Sequence, residues 1–282
     1  MNEDLRNIVL GVVATGLSAS FGWLARTALS RRRQRRRQDF FGLPGNAECL
    51  LIVNRAAGGE RSVHRFDVFA LLELSALIKD CGAHARIVQD DTAHQGIGER
   101  TEFCLGGPAS NKRMAAHLRT LLPGVGITTE ADPEGTYRSA FQIGSESHLM
   151  DRGIAEYVLL ARLTTGDGAR PVFLFCGQSA ITNQAATRYL VRHHEKLARK
   201  YGRGPFVLLL KVVNSEAYGP DVVELVADVT RAATAPRPAT ASSASSASTA
   251  APDAASGAPA TAEPPAASGT TASEAAGTSD AS

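Results

Sequence analysis

Two stretches of the chain place small polar residues between an apolar run and a helix-forming segment. FCLGGPASNKRMAAHL covers residues 103–118, and FLFCGQSAITNQAATRYL covers residues 173–190. Glycine after a strand lets the backbone turn sharply and approach a ligand closely. Ser110 or Asn111, and Thr182 or Asn183, suit the cap of the helix that follows. The unpaired N–H groups of a first helical turn, with the helix dipole behind them, attract anions. The expected ligand-binding residues are therefore Gly106, Gly107, Ser110 and Asn111 at the first junction, and Gly177, Gln178, Ser179, Thr182 and Asn183 at the second. Gly58 and Gly59, in the loop NRAAGGER, are expected to form a third wall. Lys112 and Arg113 would add positive charge. The class of ligand this suits is nucleotide-like or otherwise anionic. Neither GxxxxGK[ST] nor GxGxxG occurs, so neither junction is a P-loop or a dinucleotide fingerprint, and the cofactor is unknown from the sequence. Gly, Ser and Asn are also the ordinary residues of any strand-to-helix turn.

Catalytic constellations are weaker. Glu102 near Arg100 could act as acid or base in a cleft, or form a strand-end ion pair. Ser110, Ser179, Cys104 and Cys176 are possible nucleophiles. Gly177-Gln178-Ser179-Ala180 lacks the second glycine of a nucleophile elbow, and no histidine is placed by sequence to activate a serine. The histidines show no metal-ligand spacing and the four cysteines form no CxxC pair, so no metal is expected. Three of those cysteines lie in or beside apolar runs, as buried reduced thiols do.

The elements that must position these residues alternate. Cys49–Val53, Ala85–Val88, Thr101–Leu105, Tyr157–Leu163, Val172–Cys176 and Phe206–Val213 read as strands. Phe66–Lys79, Asn111–Leu122 and Thr182–Tyr201 read as helices. Gly82 suits the left-handed stop of the first helix. Tyr137, Phe141 and Ile143 suggest a hairpin, and Val222–Val229 a closing strand or short helix. This alternation predicts an α/β three-layer sandwich with a mainly parallel, Rossmann-like sheet.

The paired junctions TEFCLGGPASN and PVFLFCGQSAITNQAATRYL, with EYVLLARL between them, resemble a group of uncharacterised prokaryotic membrane-anchored α/β domains. Those domains share a strand ending in Gly-Gly-Pro-x-x-Asn. The resemblance covers about residues 100–190. Gln178, Ser179 and Ile181 depart from the glycine-rich second junction of that group. The resemblance implies a Rossmann-like fold and no known activity.

Three regions follow from composition. Residues 8–29 form an apolar run, and a helix over them is about 33 Å long, close to the hydrocarbon thickness of a bilayer. Arg31, Arg32, Arg33, Arg35, Arg36 and Arg37 follow it, whereas few charges precede it. That bias favours a retained transmembrane helix with its C-terminal side in the cytoplasm over a cleaved signal peptide. The expected partners are the membrane through residues 8–29 and anionic lipid headgroups through the six arginines. The regions are thus a 1–38 anchor with polybasic flank, a 39–232 globular domain, and a 233–282 tail. The tail is nearly all Ala, Ser, Thr, Pro and Gly and is expected to be disordered. The whole chain carries +2, and the excess of arginine over acid is concentrated before residue 38. A folded part so close to neutral gives no nucleic-acid footprint. The expected function is a membrane-tethered cytoplasmic module that binds a nucleotide-like or other anionic small ligand without catalysis. An interaction scaffold, or a nucleotide-processing hydrolase or transferase using Glu102 or a junction serine, are the alternatives.

Overall fold

The short apolar runs of the sequence become strands, and its long amphipathic segments helices. The computed structural model describes residues 2–54, 62–89, 96–131 and 137–236. Along them lie α1 (Asn2–Phe41), β1 (Glu48–Val53), α2 (Arg65–Asp80), β2 (His84–Gln89), β3 (Glu102–Leu105), α3 (Lys112–Leu121), β4 (Val125–Ala131), β5 (Tyr137–Ile143) and β6 (Glu146–Leu149). Then follow β7 (Ala155–Leu163), β8 (Val172–Gly177), α4 (Ala180–Tyr201), β9 (Phe206–Val213), α5 (Ser215–Tyr218), β10 (Val223–Asp228) and α6 (Thr230–Thr234). The expected tail lies almost wholly outside the described residues.

Seven strands form one sheet in the order β10-β9-β7-β8-β3-β1-β2. β8, β3, β1 and β2 pair in parallel. β7 pairs antiparallel with both β8 and β9, and β9 with β10. The sheet is therefore mixed, which corrects the expectation of a mainly parallel, Rossmann-like one. The cause is a short connection. A parallel return needs a crossover of a dozen or more residues. The chain between β7 and β8 is too short for one and holds no helix, so it folds back as a hairpin with Leu163 opposite Val172.

Alternation along the pleat sends successive side chains to opposite faces. Leu51, Val53, Phe103, Leu105, Phe173 and Phe175 pack with α2, α4 and the end of α1. Leu50, Ile52, Cys104, Leu174 and Cys176 pack with α3, α6 and a second, three-stranded antiparallel sheet, β4-β5-β6. Phe141 and Ile143, which suggest a hairpin by sequence, are among the buried side chains of that small sheet, with Val125 and Ala140. The central strands are buried, whereas the edge strands β2 and β10 are mostly exposed. All four cysteines are buried free thiols.

No helix among the described residues is long and apolar enough to cross a membrane. This overturns the transmembrane segment over residues 8–29, and with it the single-pass placement in a cell membrane with a cytoplasmic domain. α1 instead continues unbroken through the arginine run and ends inside the domain. Phe40 and Phe41 are buried against Phe173 and Phe206, with the Phe41–Phe173 ring centroids 5.5 Å apart. Gly42 then turns the chain at φ 63°, where a Cβ would sit 2.3 Å from Pro171 Cδ.

Candidate functional site

β1 leads to its neighbour β2 through α2 on one face, while β3, on the other side of β1, leads away through α3 on the opposite face. Connections that diverge between adjacent strands open a crevice at the strands' carboxyl ends. Because β1, β3 and β8 are parallel, Asn54, Gly106 and Gly177 meet at that edge. Gly106 has φ 107°, and a Cβ there would lie 2.8 Å from Asn54 Cγ, so only glycine fits. The Gly106 N–H donates to Phe175 O at 3.0 Å. Gly107 sits beside the Gly177 carbonyl, which a Cβ would approach to 3.5 Å. The Asn54 amide donates to Ser110 Oγ at 3.2 Å. Asn111 is buried, caps α3 by accepting from Met114 N at 2.9 Å, and donates to Leu105 O at 2.7 Å. Gly58 and Gly59 lie outside the described residues.

The polar side chains of the second junction turn inward. Gln178 accepts from Tyr157 N at 2.8 Å and donates to Ser139 O and His148 O, each at 2.9 Å. It thereby ties the small sheet to the end of β8. Ser179 donates to the Glu156 carboxylate. Thr182 donates to Ser179 O at 2.7 Å. Asn183 accepts from Gly177 N and donates to Asp67 Oδ1, both at 2.9 Å. These four residues bond within and behind their own junction, whereas Gly107 lies against the Gly177 carbonyl and Ser110 against Asn54. Glu156, at the start of β7, also accepts from Gly153 N at 2.9 Å and Ser215 Oγ at 3.0 Å.

Asp67 is a site residue that the sequence reading misses. It sits in the first turn of α2 with no solvent exposure. One carboxylate oxygen accepts from Asn183; among the described residues the other, Oδ2, has no hydrogen-bond partner, and neither has the neighbouring Asn54 Oδ1. Burial pushes the Asp67 carboxyl up, against smaller opposing effects of Asn183, His64 and Asn54. The sequence does carry a signal for it. Asp67 shares the 3–4–7 spacing of Ala70, Leu71 and Leu74, which places an acid on the buried stripe of an amphipathic helix.

Glu102 lies elsewhere, beneath α3 at the opposite end of β3. Arg113 grips it with both arms, Nε to Oε1 at 3.2 Å and Nη2 to Oε2 at 2.8 Å, and His117 Nε2 meets Oε1. Burial alone would raise the Glu102 carboxyl, but the bonds from His117 and Arg113 outweigh it and hold the carboxyl below its ordinary value. Arg113 is thus committed to Glu102, not to the crevice, and Arg100 pairs with Glu48. Glu102, Cys104 and His117 bring three donor atoms within 4.8 Å of one another. A guanidinium already neutralises the carboxylate, and burial pushes the Cys104 thiol well up, away from the thiolate a metal prefers. As arranged, the cluster is a buried ion network.

No family model matches this chain, and neither a curated protein nor a solved structure matches it.

Proposed function

We propose that this domain binds a nucleotide-like small ligand in the crevice between the carboxyl ends of β1 and β3, as a binding module without chemistry of its own. Two complementary features of the crevice support the reading. The N-terminus of α3, the positive end of its dipole, lies at the crevice and suits a phosphate. Among the described residues, Asp67 Oδ2 and Asn54 Oδ1 are buried acceptors without donors, suited to sugar hydroxyls or a base amino group. A bare anion would satisfy only the first, since it would be repelled by an ionised Asp67. A nucleotide carries both groups. The observation that carries the proposal is the pair of orphaned acceptors at the topological switch point, because buried polar atoms without partners are rare.

The absence of catalysis is proposed from the hydroxyl partners. Ser110 interacts with Asn54 and Gly107, and Ser179 with Glu156, so neither is bonded to a histidine base. Isothermal titration of the full chain with adenosine monophosphate, adenosine and inorganic phosphate tests the proposal. The monophosphate should bind more tightly than either part, and it should be recovered unchanged. Equal binding of phosphate and monophosphate, or turnover of the nucleotide, would defeat it.

A further inference from the structure

The end of the sheet opposite the crevice holds a second concave site, of about 480 Å³, between the end of α1 and the β7–β8 hairpin. Four arginines line it: Arg35, Arg162, Arg170 and Arg203, against Asp39 and Asp167. The volume falls in the range of small-ligand sites. Arg162 is the anchor. It is 2% exposed, points off β7, and lies over the Phe40 ring at 5.7 Å. Its guanidinium donates to three backbone carbonyls, Phe40 O at 3.0 Å, Gly204 O at 3.0 Å and Arg203 O. None of its ion-pair or hydrogen-bond partners among the described residues is a carboxylate. A buried charge without an opposite charge is strongly unfavourable unless something compensates it. Arg203 adds to the imbalance: burial first, then this neighbouring cation, lower the Arg162 pKa to about 10. Asp39 does not help, because it pairs with Arg203 at 2.6 Å. Arg170 is turned to Gly42 O at 3.2 Å.

We infer that this pocket is an anion site for a phosphate-bearing small ligand, with Arg162 fixed by backbone carbonyls as its buried floor and Arg35 and Arg170 as its exposed jaws. The arginine-rich end of α1 is then a wall of a binding site. It is held in place by Phe40 and Phe41 packing one turn further on. Guanidinium groups match phosphate oxygens two at a time, and Gly166 and Gly168 of the hairpin loop add no side chains of their own to the rim.

The probe is inorganic pyrophosphate, titrated into the full chain at constant ionic strength. Saturable binding is expected in the wild type, and the double variant R35A/R170A should bind at least about tenfold more weakly, the loss of two charge-assisted contacts. Both side chains are exposed, so this variant tests the pocket even where R162K fails to fold. Backbone amide shifts on adding pyrophosphate should gather at Arg162, Gly166 and Arg170; shifts confined to Asn54, Gly106 and the first turn of α3 would place the anion in the crevice and overturn the inference. Undiminished binding by R35A/R170A, or none by the wild type, would overturn it as well. Vesicles of phosphatidylglycerol form the last arm. Sedimentation with vesicles, in a chain that does not take up pyrophosphate, would assign the arginines to a lipid headgroup and refute the pocket.

Discussion

Replacing Asp67 by asparagine should stabilise the ligand-free domain and weaken its binding of nucleotide. Asp67 is fully buried, accepts one hydrogen bond from Asn183 at 2.9 Å, and has a second oxygen with no donor among the described residues. Leaving such a group unsatisfied costs about 1–3 kcal/mol. The amide introduced by D67N would keep the Asn183 bond through its oxygen and turn an N–H toward Asn54. The expected gain at pH 7.5 is therefore about 1–3 kcal/mol, or about 2–4 °C in Tm for each kcal/mol in a domain of this size. The pH dependence fixes the mechanism. The Asp67 carboxyl titrates higher in the folded than in the unfolded chain, so the folded state holds its proton longer. Wild-type stability then falls as pH rises from the ordinary carboxyl range through the folded value. The advantage of D67N should vanish below the ordinary carboxyl range and reach its plateau above the folded value. Urea denaturation at pH 3.5 and pH 7.5 measures both points. A destabilised D67N at pH 7.5 would mean that Asp67 already has its donor, for instance from a reversed Asn54 amide, and would refute the orphaned acceptor. A gain of the same size at both pH values would refute the ionisation argument.

Two further outcomes follow from the same geometry. E102Q should lose about 3–5 kcal/mol at neutral pH by leaving Arg113 and His117 without their buried partner; because the Glu102 carboxyl is held low in the folded state, the wild-type advantage is present above the ordinary carboxyl range and disappears as pH falls through the folded value, which chemical denaturation across pH 2.5–7 would show. G106A should lose at least about 1–3 kcal/mol, since φ 107° is strained for alanine and its Cβ would meet Asn54 at 2.8 Å, and should abolish adenosine monophosphate binding in titration calorimetry.

The strands and helices are legible because their signals are local. CLLIV, YVLLARL and VFLFC are short apolar runs bounded by turns, and α2 and α4 show helical spacing over four turns or more. Their pairing directions are harder to read, although one clue is present: a helix-free turn between Leu163 and Val172 can only give a hairpin. α1 misleads for a different reason. Its apolar run and arginine flank carry the charge pattern of an anchor, but the helix runs on past the arginines, and Phe40 and Phe41 dock its end in the core. That docking is a long-range contact with β8 and β9 and leaves no local trace. The glycine junctions stand out because close approach demands glycine, as Gly106 against Asn54 illustrates. What each polar side chain faces depends on elements distant in sequence. Asn183 meets Asp67 across more than a hundred residues, and Arg162 finds its carbonyls on α1 and on the loop before β9. Only tertiary structure separates the inward Gln178 and Ser179 from the outward Ser110.

Backbone amide chemical-shift mapping of the full chain during titration with adenosine monophosphate tests the central claim most directly. The account predicts that the perturbed amides gather at Asn54, Gly106, Gly107, Ser110 and the first turn of α3. Shifts confined to the arginine-lined pocket, or none at saturating nucleotide, would contradict it.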